Sequence, residues 1–151
     1  MSNKSSLYVR VPFQIEDPQS LAGLSLRMKY EDGYVAYING VEVVRKGLRQ
    51  DNPTFDSTST SRASRSAVEF ANVNLSEFRS LLKPGRNILA IQAINATATS
   101  NDLFVLPELV EGALSSGQGA IPGAQHGNPT VAFAAYDYNP VSGNQQEEYV
   151  T

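Results

Sequence analysis

Tyr34, Tyr37, Arg45, Phe55 and Asn95 carry side chains suited to gripping a sugar. A pyranose presents apolar ring faces and a rim of hydroxyls, so a site for it needs aromatic faces to stack on and polar side chains that donate and accept. Tyr30 shares this chemistry and lies in the same stretch. The competing use of such residues is structural, because tyrosines in a β-sandwich commonly bury the ring and leave the hydroxyl wet. Phe55 is the lone aromatic of a polar stretch, and a residue so placed either touches a ligand or anchors its loop.

Catalytic chemistry has no comparable set. The single histidine, His126, sits in a Gly/Pro-rich stretch, so a Ser-His-Asp arrangement would carry its base on a flexible segment. Glu31-Asp32 and Glu147-Glu148 are adjacent pairs, and neighbours in a strand face opposite sides, so neither forms an acid/base pair. Glu31-Asp32 reads instead as turn chemistry. The absence of cysteine removes a thiol nucleophile, a thiolate metal site and any disulfide framework. With no nucleophile, base and orienting group brought together, the chain reads as non-enzymatic.

The elements that must position these residues are strands. Leu7, Val9, Val11, Phe13 and Ile15 alternate with Tyr8, Arg10, Pro12 and Gln14, a first strand with Pro12 marking an edge or bulge. Residues 24–46 hold three alternating stretches separated by Asp32-Gly33 and Asn39-Gly40, and read as a β-meander. Asn39-Gly40 tolerates the positive φ values of a type I′ hairpin turn. A strand is predicted over Val68 to Val73, followed by a short helix carrying Leu75, Phe78 and Leu82 behind an Asn74 or Ser76 cap and stopped at Lys83-Pro84-Gly85. Ile88 to Ile94 is nearly continuous apolar sequence, the pattern of a central strand covered on both faces, with Leu103 to Leu106 as its partner. The pattern predicts an all-β sandwich with one short helix, and Leu26, Met28, Val35, Ile38, Val43, Phe70, Leu89, Ile91 and Val105 in its core.

Two stretches break this pattern. Residues 47–66 are rich in Ser, Thr, Asp and Asn, a loop long enough to be either functional or disordered. Residues 113–130 are rich in Gly and Pro and read as a linker or strap, dividing a sandwich over 1–112 from a C-terminal strand segment over 131–151. That segment is apolar and aromatic yet too short to fold alone, so it is expected to add a strand to an edge of this chain or of a neighbour.

The net charge is −3 and the basic residues are scattered, which argues against nucleic acid as a partner. No stretch is long and apolar enough to read as a membrane span, and the opening MSNKSS is too polar for a signal peptide.

Three words of the sequence also carry a resemblance: YEDGYVAYINGVEVVR (Tyr30 to Arg45), LLKPGRNILAIQAIN (Leu81 to Asn95) and SNDLFVLPEL (Ser100 to Leu109). Together they resemble, in order, the signature of galactose-binding-like jelly-roll modules from large secreted bacterial proteins of planctomycetes and similar organisms. The resemblance implies a jelly-roll β-sandwich, and an extracellular or cell-surface location as part of a larger exported protein. It also implies a choice of roles, since such modules bind glycans, act as spacers or sit beside catalytic domains. A structural calcium is possible in such modules, with Asp17, Asp51, Asp56, Asp102 and Glu108 as candidates by residue type. Tyr138-Asn139-Pro140, Gly143 and Glu147 to Val150 resemble the opening of a lamin-tail-like domain, without the glutamate usual near Ala134 or Ala135. The expected function is a non-catalytic carbohydrate-binding module that holds a polysaccharide or glycan. The alternative is a structural or adhesive module whose partners are neighbouring domains of the parent protein, or copies of itself joined through the C-terminal strand.

Overall fold

A computed structural model of the chain describes residues 5–112 and Val131–Ala132. His126, the strap over 113–130 and the lamin-tail-like words lie outside the described residues. The strands are β1 (Ser6–Ile15), β2 (Leu24–Tyr30), β3 (Gly33–Ile38), β4 (Val41–Lys46), β5 (Ala71–Asn74), β6 (Gly85–Ile94), β7 (Val105–Glu111) and the two-residue β8 (Val131–Ala132). They form two four-stranded antiparallel sheets, β1-β6-β3-β4 and β5-β2-β7-β8, facing each other as an all-β sandwich. The chain weaves between the sheets as a jelly roll does: β1, β3, β4 and β6 in one, β2, β5, β7 and β8 in the other.

The alternation predicted for β1 puts Leu7, Val9, Val11, Phe13 and Ile15 against the core, where Leu89, Ile91 and Ala93 of β6 face the same way. Leu24, Leu26, Met28 and Tyr30 of β2 close the core from the other sheet. Of the residues predicted to be buried, Leu26, Met28, Val35, Ile38, Val43, Leu89, Ile91 and Val105 are. Phe70 is not. It is half-buried beside β2, with the Arg27 guanidinium 4.2 Å and the Lys29 ammonium 4.7 Å from its ring centroid, so its ring face serves two cations instead of the core.

The predicted meander is corrected by the pairing. Only β3 and β4 form a hairpin, through Asn39 (φ 50°) and Gly40 (φ 89°), both positive as the type I′ turn requires. Between β2 and β3 the chain crosses from one sheet to the other, and Glu31-Asp32 is that corner, buried, with Asp32 at φ 61°. Alternation tells which face of a strand is apolar but not which strand lies beside it. For the same reason β7 pairs with β2 and β8, not with the Ile88 to Ile94 strand. The strand predicted from Val68 begins instead at Ala71, after a single helical turn at Ser64–Ala67 that leaves Val68 exposed. The short helix is a 3₁₀ helix, Ser76–Leu81, with the Ser76 N–H donating to Asn74 Oδ1 at 2.9 Å.

Loop 47–66 is folded down onto the outer face of the β1-β6-β3-β4 sheet. Thr60 N–H donates to Gly47 O, Ser59 N–H to Asn95 O and Ser59 Oγ to Ile94 O, at 2.7, 3.0 and 2.8 Å. Val35 and Ile94, on the sheet face away from the core, are thereby buried. The loop needs Gly33: a Cβ there would stand 2.6 Å from Ser59 Cβ and 2.9 Å from Lys46 O. Double coverage of β6 therefore holds at its C-terminal end, while Arg86 and Ile88 at the other end are exposed.

Candidate functional site

Cross-strand register decides which side chains share the outer face of the β1-β6-β3-β4 sheet. One row across the strands reads Tyr8, Gln92, Val35, Arg45, and the next reads Arg10, Ala90, Tyr37, Glu42. Tyr8 and Tyr37 thus flank β6 from β1 and β3, one row apart, and strand spacing and rise place their Cα atoms about 12 Å apart. Between them lie the small Ala90 and Gln92, the latter buried under loop 47–66 with its Nε2 donating to Thr54 O at 2.8 Å and to Ser6 Oγ at 3.2 Å. Tyr8 is 58% exposed and Arg10 is exposed beside it. Phe55, 52% exposed, follows Thr54 in the loop that Gln92 holds.

The electrostatics keep Tyr37 a hydrogen-bond donor. Its hydroxyl titrates above the ordinary value, because of partial burial first, then Glu42, with Tyr8 adding to the effect and Arg45 opposing it. Arg45 grips Glu42 with two bonds, from Nε at 2.9 Å and Nη2 at 2.8 Å, and this pairing lowers the Glu42 pKa. The same guanidinium donates to Asp51 O at 2.5 Å and to Gln50 O. Arg45 therefore fastens the start of loop 47–66 to β4, with most of its donors engaged.

The remaining sequence candidates lie elsewhere. Tyr34 is fully buried in the core, edge-on to Tyr30 with centroids 4.7 Å apart, and its hydroxyl has no hydrogen-bond partner among the described residues. Burial, then Tyr30, push its pKa well above the ordinary range, with Arg62 opposing. Asn95 is buried at the end of β6, where its backbone bonds Ser5 and Ser59 and its Nδ2 reaches Ser100 O at 3.2 Å. Both therefore lie out of a ligand's reach, and the face unites Tyr37 and Arg45, with Phe55 exposed in the loop that covers part of it. Tyr8 and Arg10 were missed in the sequence, although the alternation of β1 already set them opposite Leu7 and Val9.

Two other places bear on chemistry. At the β2–β3 corner the buried Asp32 carboxylate accepts from the N–H groups of Arg62 (2.9 Å) and Ala96 (2.7 Å), while Arg62 covers the Tyr30 ring at 4.2 Å. This node ties three loops together. An open cleft of about 270 Å³ lies between Pro18-Gln19 and the 3₁₀ helix, lined also by Ser76, Glu77, Arg79 and Ser80, with no aromatic surface. The calcium candidates are dispersed: Asp17 caps Gln19 N–H, Asp102 accepts from Ser100, and Glu108 pairs with Arg27 at 2.6 Å. Among the described residues no three acidic or histidine side chains come together as a metal site, and no helix is long and apolar enough to cross a membrane.

No protein-family model matches the chain, and no curated protein is found similar to it. Among solved structures it is similar to part of the Streptomyces avermitilis α-L-rhamnosidase complexed with L-rhamnose, at 20% identity over 76% of this chain and 10% of that one, with a TM-score of 0.49. It is also similar to part of the native α-L-rhamnosidase from Aspergillus terreus, at 17% identity over 71% of this chain and 12% of that one, TM-score 0.45. A β-D-mannosidase from Dictyoglomus thermophilum matches at 14% identity over 63% of this chain and 9% of that one, TM-score 0.41. The chain spans about a tenth of the length of these proteins, and likenesses this loose say nothing about a shared activity.

Proposed function

We propose that the chain is a non-catalytic carbohydrate-binding module of a larger exported protein, and that it holds polysaccharide on the outer face of the β1-β6-β3-β4 sheet. The observation that carries this reading is the pair Tyr8 and Tyr37 flanking Ala90, with Arg10 in the same row as Tyr37. Rings on rigid strands give a stacking surface at little entropic cost, and the small residue between them leaves room for a sugar ring. Polar groups around it, the Tyr37 hydroxyl and the Arg10 guanidinium, supply hydrogen bonds to hydroxyls.

The competing structural or adhesive role draws less support. At Glu108 and Leu109 the edge of β7 is already taken, in the same chain, by Val131–Ala132. Affinity gel electrophoresis against a panel of plant, algal and bacterial polysaccharides tests the proposal. Retardation by at least one polymer, reduced about tenfold by Tyr37→Ala or Tyr8→Ala, is the expected result. Absence of retardation across the panel would overturn it.

A further inference from the structure

The same face carries exposed arginines. Along it lie, row after row, Tyr8 with Gln92, Arg10 with Ala90, Pro12 with Ile88, and Gln14 with Arg86. Arg10 and Arg86 are both exposed, and neither forms an ion pair with a described residue. The carboxylate of these rows, Glu42, is neutralised by the bidentate grip of Arg45. Four residues of strand rise and one strand spacing separate the two free guanidinium-bearing positions, about 14 Å. Exposed Pro12 and Ile88 lie between them and offer an apolar floor.

We infer that the polysaccharide held here is acidic, a linear polymer with repeated carboxylates of the hexuronate class, running along β1 and β6. This rests on the proposed glycan-binding role and narrows it. A guanidinium presents a planar fork that matches a carboxylate with two parallel bonds, which a neutral hydroxyl cannot return. Two such forks on backbone positions about 14 Å apart favour a polymer over a single sugar, because once one carboxylate is seated the second binds at high effective concentration.

The test uses the intact chain with polygalacturonate, its fully methyl-esterified counterpart, dextran sulfate and galacturonic acid monomer, by affinity electrophoresis and titration calorimetry at low and moderate salt. Polygalacturonate is expected to bind about tenfold tighter than the esterified polymer, and far tighter than the monomer. Arg10→Gln with Arg86→Gln should erase that preference, so that the variant binds the acidic and the esterified polymer alike. Replacement of both by Lys should lose most of it, since the charge stays and the fork goes. Equal binding of acidic and esterified polymers would overturn the inference, as would a preference that survives the Gln or the Lys replacements. Tighter binding of dextran sulfate than of polygalacturonate would also overturn it, by showing response to charge alone. If a neutral polysaccharide binds and no acidic one does, the inference falls while the proposed function stands. If no polysaccharide of any kind binds, both fall.

Discussion

Replacing Asn87 should cost this domain a large part of its stability. Asn87 is fully buried near the start of β6, and every polar atom of its carboxamide is used. Nδ2 donates to Lys83 O at 2.8 Å and Gly85 O at 3.0 Å, while Oδ1 accepts from Lys83 N–H at 2.9 Å and Asn39 Nδ2 at 2.8 Å. One side chain thus shapes the turn into β6 and clamps it to the β3–β4 hairpin. At roughly 0.5 to 1.5 kcal/mol net for each of the four bonds, Asn87→Ala should cost about 2 to 6 kcal/mol. The lower half of that range is expected, because the groups at Lys83 and Gly85 are exposed enough to be rehydrated. Domains of this size are stable by only about 5 to 15 kcal/mol, so the loss should be plain in urea unfolding. A cycle with Asn39→Gly, which removes the partner amide without straining the positive φ, should show a coupling of about 1 kcal/mol. A loss below about 0.5 kcal/mol for Asn87→Ala, with no coupling to Asn39, would refute the reasoning.

Other substitutions probe other parts of the account. Gly40→Val should destabilise by about 1 kcal/mol or more through backbone strain alone, since no atom lies within 4 Å of a Cβ there; an unchanged unfolding midpoint would contradict the hairpin assignment. Gly33→Ala should cost about 1 to 3 kcal/mol by pressing on Ser59, and faster proteolysis within residues 47–60 would report the loosened loop. Tyr34 has a raised pKa, so its contribution to stability is whole below its ordinary value of 10.0 and falls as pH rises beyond it, where only the unfolded chain ionises. Tyr34→Phe should therefore gain stability relative to the parent chain as the pH is taken from 9 to 11, and a constant difference would count against the burial of that hydroxyl.

What could be read from the sequence was local. The β3–β4 hairpin followed from Asn39-Gly40 between alternating stretches, because turn chemistry and strand period both act over a few residues. Parity was also legible: Tyr34 and Tyr37 are three residues apart in one strand and must face opposite sides, so they could not share a platform. Tyr34 follows Ala36 and Ile38 into the core, and Tyr37 faces outward. The meeting of Tyr8 and Arg10 with Tyr37 was out of reach, since it depends on β1 and β3 both pairing with β6, which lies some fifty residues or more further along the chain. Loop 47–66 was ambiguous for a like reason. The hydrogen bonds that fasten it to the sheet and its corner go to Gln92, Asn95, Arg45 and Asp32, all distant from it or outside it in the sequence. Phe70 was misjudged because an apolar type says nothing about the two cations that β2 sets over its ring.

The central claim, that the outer face of the β1-β6-β3-β4 sheet is a glycan-binding surface, is tested most directly by mapping amide chemical shifts while an oligosaccharide of the best-retained polymer is titrated in. The account predicts that the largest changes fall on Tyr8, Arg10, Tyr37, Ala90 and Gln92, and that Tyr37→Ala abolishes them while leaving the remaining spectrum folded. Changes confined to the cleft at Pro18 and Ser76, or to the outer face of β2 and β7 around Arg27, would contradict it.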